Sequence, residues 1–179
     1  MKLVTGCWHS HEQSGQLALI AVGNSLRQDD GVAAVLCQML PCELTAQLCF
    51  FELGPYTGQI KDCLTGHKTG VLVDSMSGGG QPGTSVIVDL TSLIKSGGAM
   101  QFKLSHGLSL VDELYLAGQI ASLPEQVTLF GVEAADSGWG EGLSPVLQNA
   151  LPGLVEFLAR HIELQLSLGK AQSCLSLQT

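Results

Sequence analysis

The stretch Leu17-Ala18-Leu19-Ile20-Ala21-Val22-Gly23-Asn24-Ser25-Leu26-Arg27-Gln28-Asp29-Asp30-Gly31 decides how this chain folds. It opens with six apolar residues that do not alternate with polar ones. A run of that length suits a strand buried on both faces. Gly23 ends it, a polar loop follows, and Asp29 or Asp30 opens a helix. Val32, Val35, Leu36, Met39 and Leu40 then recur at helical spacing until Pro41 stops the run. A buried strand passing through a loop into an amphipathic helix is the first half of a β–α–β unit.

The alternation continues outward. A second strand is expected over Ala46–Leu53, then a turn at Gly54–Gly58 and a short helix at Ile60–Leu64 capped by Gly66. Gly70–Asp74 reads as a third strand, Ser77–Gly83 as a loop, and Thr84–Leu90 as weakly alternating β structure. His106-Gly107 opens a helix that places Leu108, Val111, Leu114 and Leu116 among its apolar positions. Val127–Val132 is a further strand, followed by the loop Ala135–Gly140. Ser144-Pro145 pairs a hydroxyl cap with proline at the first helical position. The helix it opens carries an apolar stripe of Leu147, Leu151, Leu154, Val155, Leu158 and Ile162, and Pro152 is expected to kink it or move its boundary.

The fold class this pattern predicts is α/β: a three-layer sandwich whose twisted, mostly parallel sheet is covered by helices on both faces. Residues 1–16 read as a polar N-terminal extension, 17–164 as one domain, and 165–179 as a disordered C-terminal tail.

Composition narrows the function. The 179 residues are 45% hydrophobic and 13% charged, as expected of one domain with a full core. No apolar run approaches the roughly 20 residues that span a bilayer. Met1–Gln16 lacks the apolar centre of a signal peptide, so a cytoplasmic protein without membrane insertion is expected. Net charge is −8 with only 8 Lys and Arg, and no basic stripe exists to neutralise phosphates, which excludes nucleic-acid binding. None of the 6 cysteines forms a Cys-x-x-Cys pair. They read as reduced bystanders, with Cys37 in buried packing.

Three metal-competent side chains stand where elements begin or end: Asp30, Asp74 and His106. Right-handed crossovers gather the loops after parallel strands at one sheet edge, where ligands of such folds bind. Asp29 is expected to cap the helix, leaving Asp30 to face the cleft. Two carboxylates and an imidazole make an open site for a divalent ion. Each has a plainer alternative. Asp74 can accept loop amides, and His106 can be an ordinary hydrogen-bonded residue at a helix start, where the dipole favours neutral imidazole. His9 and His11 read as solvated, with accessory metal capture as the alternative. His67 reads as a loop residue and His161 as a helix-surface residue. Neither a Gly-x-Ser-x-Gly elbow nor a His-Glu-x-x-His helix is present, and the Gly23–Gly31 loop lacks the nucleotide-binding patterns.

An ordered set of segments runs through most of the chain, roughly Leu17 to Leu158. It comprises Gly23-Asn24-x-Leu26-x-x-Asp29-Asp30-Gly31, Val73-Asp74, Pro82-Gly83-Thr84, Ser105-His106-Gly107-Leu108, Gly131-Val132-Glu133 and Leu143-Ser144-Pro145. In this set the chain resembles the nickel–iron hydrogenase maturation endopeptidases. The resemblance implies cleavage of a C-terminal extension from the hydrogenase large-subunit precursor after nickel insertion. It carries the metal ligands onto Asp30, Asp74 and His106, with nickel supplied by the substrate rather than held permanently. The chain departs from the pattern in four places. Asp30 stands where some members have glutamate, Gln28 and Ala33 where glycine is common, and Ala134 where proline is common. Two rival readings are a non-catalytic nickel-binding accessory protein of hydrogenase assembly and an unrelated metal-dependent hydrolase on a similar fold.

Overall fold

Six consecutive apolar residues leave β1 (Leu17–Val22) no polar face, and all six are buried. In the computed structural model, which describes residues 16–55, 57–96, 103–104, 110–120 and 123–175, β1 lies inside a six-stranded sheet. Its parallel neighbours are β2 (Cys49–Gly54) and β3 (Thr69–Ser77). β6 (Gln126–Glu133) pairs parallel with β3 on the other side. β4 (Ser85–Asp89) closes that edge antiparallel to β6, and β5 (Lys103–Leu104) pairs antiparallel with the end of β3. The order is β2-β1-β3-β6-β4, mostly parallel with an antiparallel edge.

The pleat sends alternate side chains to opposite faces. Leu17, Leu19 and Ala21 pack with α1 (Val32–Gln38) and α6 (Pro145–Leu175) in one apolar cluster. Ala18, Ile20 and Val22 pack with α3 (Ile60–Leu64), α4 (Leu90–Ser96) and α5 (Leu110–Ile120) in the other. These are the three layers expected. Each fully buried Val, Leu or Ile contributes about 1.5–3 kcal/mol from its removal from water.

Four expectations are corrected. The second strand begins at Cys49 rather than Ala46, because the amides of Leu44 and Thr45 turn back onto the Pro41 carbonyl and form the short helix α2 (Cys42–Thr45). Leu90 opens a helix rather than ending a strand, with the Asp89 carboxylate accepting from the Ser92 amide and hydroxyl. Pro152 lies inside α6, so of its two expected effects the shifted boundary does not occur. The tail expected from residue 165 is helical to Leu175, because Gln165 and Leu166 continue the buried stripe of Leu158 and Ile162. No helix among the described residues is long and apolar enough to cross a membrane.

Candidate functional site

The loops after β1, β2, β3 and β6 meet at the carboxyl edge of the sheet. The first of them folds back sharply at Gly23, whose φ is +146°. A Cβ there would run into the carbonyl oxygen of Asp30, so only glycine lets the loop close. Asp30 lies in the single helical turn Gln28–Gly31 that leads into α1, with 1% of its surface exposed. Its Oδ1 accepts from the Ser75 hydroxyl at 2.7 Å and its Oδ2 from the Asn24 amide at 3.0 Å.

Asp74 precedes Ser75 in β3 and is equally buried. Strand alternation puts it on the face of Leu72, toward α5, while Ser75 shares the other face with Val73. The loop bearing Asp30 is thus tied to the strand bearing Asp74 through Ser75, a residue that the sequence did not single out. His106, with His9 and His11, lies outside the described residues. Among the described residues no three of His, Cys, Asp and Glu stand close enough together to hold a metal. The donors fit a divalent ion in kind: Asp30 and Asp74 offer carboxylate oxygens, which suit such an ion.

Asp29 does not cap the helix. It is completely buried, and its carboxylate accepts from the amides of Ala135 and Asp136, both at 2.9 Å, and of Ser144 at 2.7 Å. It therefore pins the β6–α6 loop against the β1–α1 loop. Backbone bonds reinforce the junction, from Gln28 to the Gly140 carbonyl and from Gly140 to the Leu26 carbonyl. The Arg27 side chain donates to the Ser137 carbonyl and lies 5.7 Å from the Trp139 ring centre. Ser144 caps α6 as expected, its hydroxyl accepting from the Leu147 amide at 3.4 Å. A second carboxylate, Glu133, organises the loop after β3 by accepting from the amides of Gly78 and Gly79.

Between these loops and β2 lies a cleft of about 90 Å³ lined by Asp30, Glu52, Gly54 and the Gly23–Ser25 backbone. Glu52 Oε2 is buried without a hydrogen-bond partner among the described residues. An unmet buried acceptor costs about 1–3 kcal/mol, so it is a feature needing a reason.

The remaining groups divide clearly. His161, expected on a helix surface, is buried and shares a 2.9 Å hydrogen bond with Thr128. Burial holds its pKa below the usual imidazole value. His67 packs edge-on to Phe51. Burial pushes the Cys37 thiol far up and the Cys63 thiol to about 11, which keeps both protonated and poor as nucleophiles.

A family model described as hydrogenase maturation protease matches residues 38–161. The chain is 25% identical over 148 residues to the hydrogenase expression/formation protein HupD of Rhizobium leguminosarum bv. viciae, covering 81% of this chain and 73% of that protein. Among solved structures, it is similar to the hydrogenase maturating endopeptidase HybD from E. coli, with a TM-score of 0.60 at 16% identity over 80% of this chain and 89% of the other. It is also similar to the [NiFe] hydrogenase maturation protease HycI from Thermococcus kodakarensis KOD1, with a TM-score of 0.59 at 21% identity over 83% and 92%. At these identities the two structures speak to the fold alone.

Proposed function

We propose, because this chain belongs to the hydrogenase maturation protease family, that it removes the C-terminal extension of a nickel-loaded NiFe-hydrogenase large-subunit precursor. Membership makes it a peptide-bond hydrolase. The observation that carries the finer reading is the pair of buried carboxylates at one sheet edge, Asp30 joined by hydrogen bond to the residue beside Asp74. Carboxylates buried at the mouth of a parallel sheet, rather than in its core, suit a site that meets a ligand.

In this reading nickel arrives as the precursor's cargo, and Asp30, Asp74 and His106 recognise it there. Oxygen and imidazole donors suit such a borderline divalent ion. When bound, the ion polarises the scissile carbonyl or a water. The protein's own residues do the rest. Ser75 and the Asn24 amide fix the Asp30 carboxylate in one orientation, and the Asp29 clamp holds the surrounding loops. Water adds to the carbonyl carbon, the C–N bond breaks, and a proton passes to the leaving amine. Asp30 or Asp74 serves as ligand, as base, or as both in turn.

The test is mass spectrometry of the precursor incubated with this protein, with and without nickel. Loss of a C-terminal peptide only from the nickel-loaded precursor is the expected outcome. Asp30→Ala, Asp74→Ala and His106→Ala are each expected to slow that loss by roughly a hundredfold or more. Normal processing by all three variants would overturn the assignment. Nickel binding without shortening would point to an accessory protein.

A further inference from the structure

We propose that the exposed side chains of Trp139 and Leu26 form a docking surface outside the Asp30 cleft, on which the folded body of the precursor seats an apolar recess. This rests on the endopeptidase reading, and concerns how the substrate is held rather than how its bond is cut. Trp139 is one of only 2 tryptophans in the chain, yet it is 79% exposed, and Leu26 is 52% exposed. The two stand opposite one another. Each precedes a partner of the parallel bridge between Arg27 and Gly140, and the Gly140 amide donates to the Leu26 carbonyl at 3.0 Å.

Single apolar side chains on a surface are ordinary. This pair differs because the backbone beneath it is tied down. The Leu26 amide donates to the Asn24 side-chain oxygen at 3.0 Å, and the Gly138 amide to the Asp136 carboxylate at 2.7 Å. The Gln28 and Asp29 amides donate across the junction to the Gly140 and Asp136 carbonyls. The Arg27 guanidinium lies 5.7 Å from the centre of the Trp139 ring. An aromatic side chain held on a fixed loop loses little conformational entropy when a partner covers it. Tryptophan so placed is the residue type that dominates binding between proteins.

The neighbouring site names the occupant. The loops that carry Leu26 and Trp139 are the ones joined by Asp29, and Ser25, beside Leu26, lines the cleft with Asp30. The cleft holds about 90 Å³, the share of liquid volume of roughly three waters, which is room for one side chain. A specific contact between two proteins buries on the order of 1,200–2,000 Å². Most of the contact with a protein substrate therefore lies outside the cleft, and Leu26 with Trp139 is apolar surface continuous with it. A precursor seated there has its scissile segment delivered to Asp30.

The experiment uses the full-length protein labelled with fluorotryptophan, the Trp139 fluorine resonance being assigned by its loss in Trp139→Phe. Nickel-loaded precursor is expected to shift and broaden that resonance. In processing assays Trp139→Ala and Leu26→Ser are each expected to raise KM about tenfold or more with kcat unchanged, and Trp139→Phe, which keeps a ring, to recover most of the loss. A merely structural role in the loop gives the opposite split, a fall in kcat and in the urea midpoint, and would overturn the proposal. An unmoved Trp139 resonance at saturating precursor would overturn it too. So would a resonance that moves with protein concentration alone, which would assign the surface to a second copy of the chain. Leu26→Ser serves if Trp139→Ala does not fold. Calorimetric titration with the precursor separates the two claims. Binding weakened by Trp139→Ala, without cleavage by the wild-type protein, keeps the docking surface and sinks the endopeptidase reading. Cleavage with a KM indifferent to both substitutions does the reverse.

Discussion

Asp29 and Asp30 are adjacent, equally buried carboxylates with different work. Asp29 spends its oxygens on three amides of one distant loop, whereas Asp30 faces the cleft. Replacing Asp29 by Ala strands three donors, so Asp29→Ala should lower unfolding free energy by roughly 2–4 kcal/mol in urea titration. An unchanged midpoint would mean that the clamp adds nothing. Beside it, Gln28 adopts φ +46°, a left-handed conformation that side chains resist. This gives a reason for glycine being common at that position in the resembling family. Gln28→Gly should therefore stabilise by about 0.5–1 kcal/mol in the same titration. Asp30 and Asp74 were legible because each is a polar residue ending or following an apolar run. Ser75, Glu133 and Glu52 were not. Ser75 meets Asp30 from 45 positions away, and Glu133 meets Gly78 from 55, distances over which sequence spacing carries no signal.

At the scale of elements, legibility follows how local the cause is. β1 and α3 have the bounds read from the sequence, since an apolar run and a helix-ending Gly66 are local facts. The far half of α6 was missed because its polar residues looked solvated. Gln165 and His161 are in fact buried, His161 against Thr128 of β6. That contact has a pH signature. Burial lowers the folded pKa of His161 below the ordinary imidazole value of 6.5, so the unfolded chain takes the proton more readily. Its stabilisation is complete above about pH 6.5 and is lost as pH falls through that value toward the folded pKa. The slope from this one group cannot exceed about 1.4 kcal/mol per pH unit. Thermal melts between pH 7.5 and 5 should show the decline, and His161→Gln should flatten it. Equal slopes in both proteins would assign the pH dependence elsewhere.

For the whole molecule, the buried thiols of Cys37 and Cys63 report global opening. Cys37 sits in the α1-side cluster and Cys63 in the α3-side cluster, while Cys42 is exposed. Alkylation near neutral pH followed by peptide mapping should mark Cys42 early and Cys37 only at the rate of global unfolding. Early labelling of Cys37 would show that the α1 layer opens by itself. The sequence alone determined the α/β class, the places of the main strands along the chain, and the two carboxylates at the ends of its first and third strands. It could do so because apolar runs, turn residues and helix caps act over a few residues, and the handedness of crossovers then places the loops. Only the tertiary structure decided that Asp29 ties two loops together instead of capping a helix, that Ser75 links Asp30 to β3, and that Glu52 lines the cleft with an oxygen unpaired among the described residues. Those outcomes depend on which chain segments the folded sheet brings within hydrogen-bond range, and a hydrogen bond reaches about 3 Å whatever the separation along the chain.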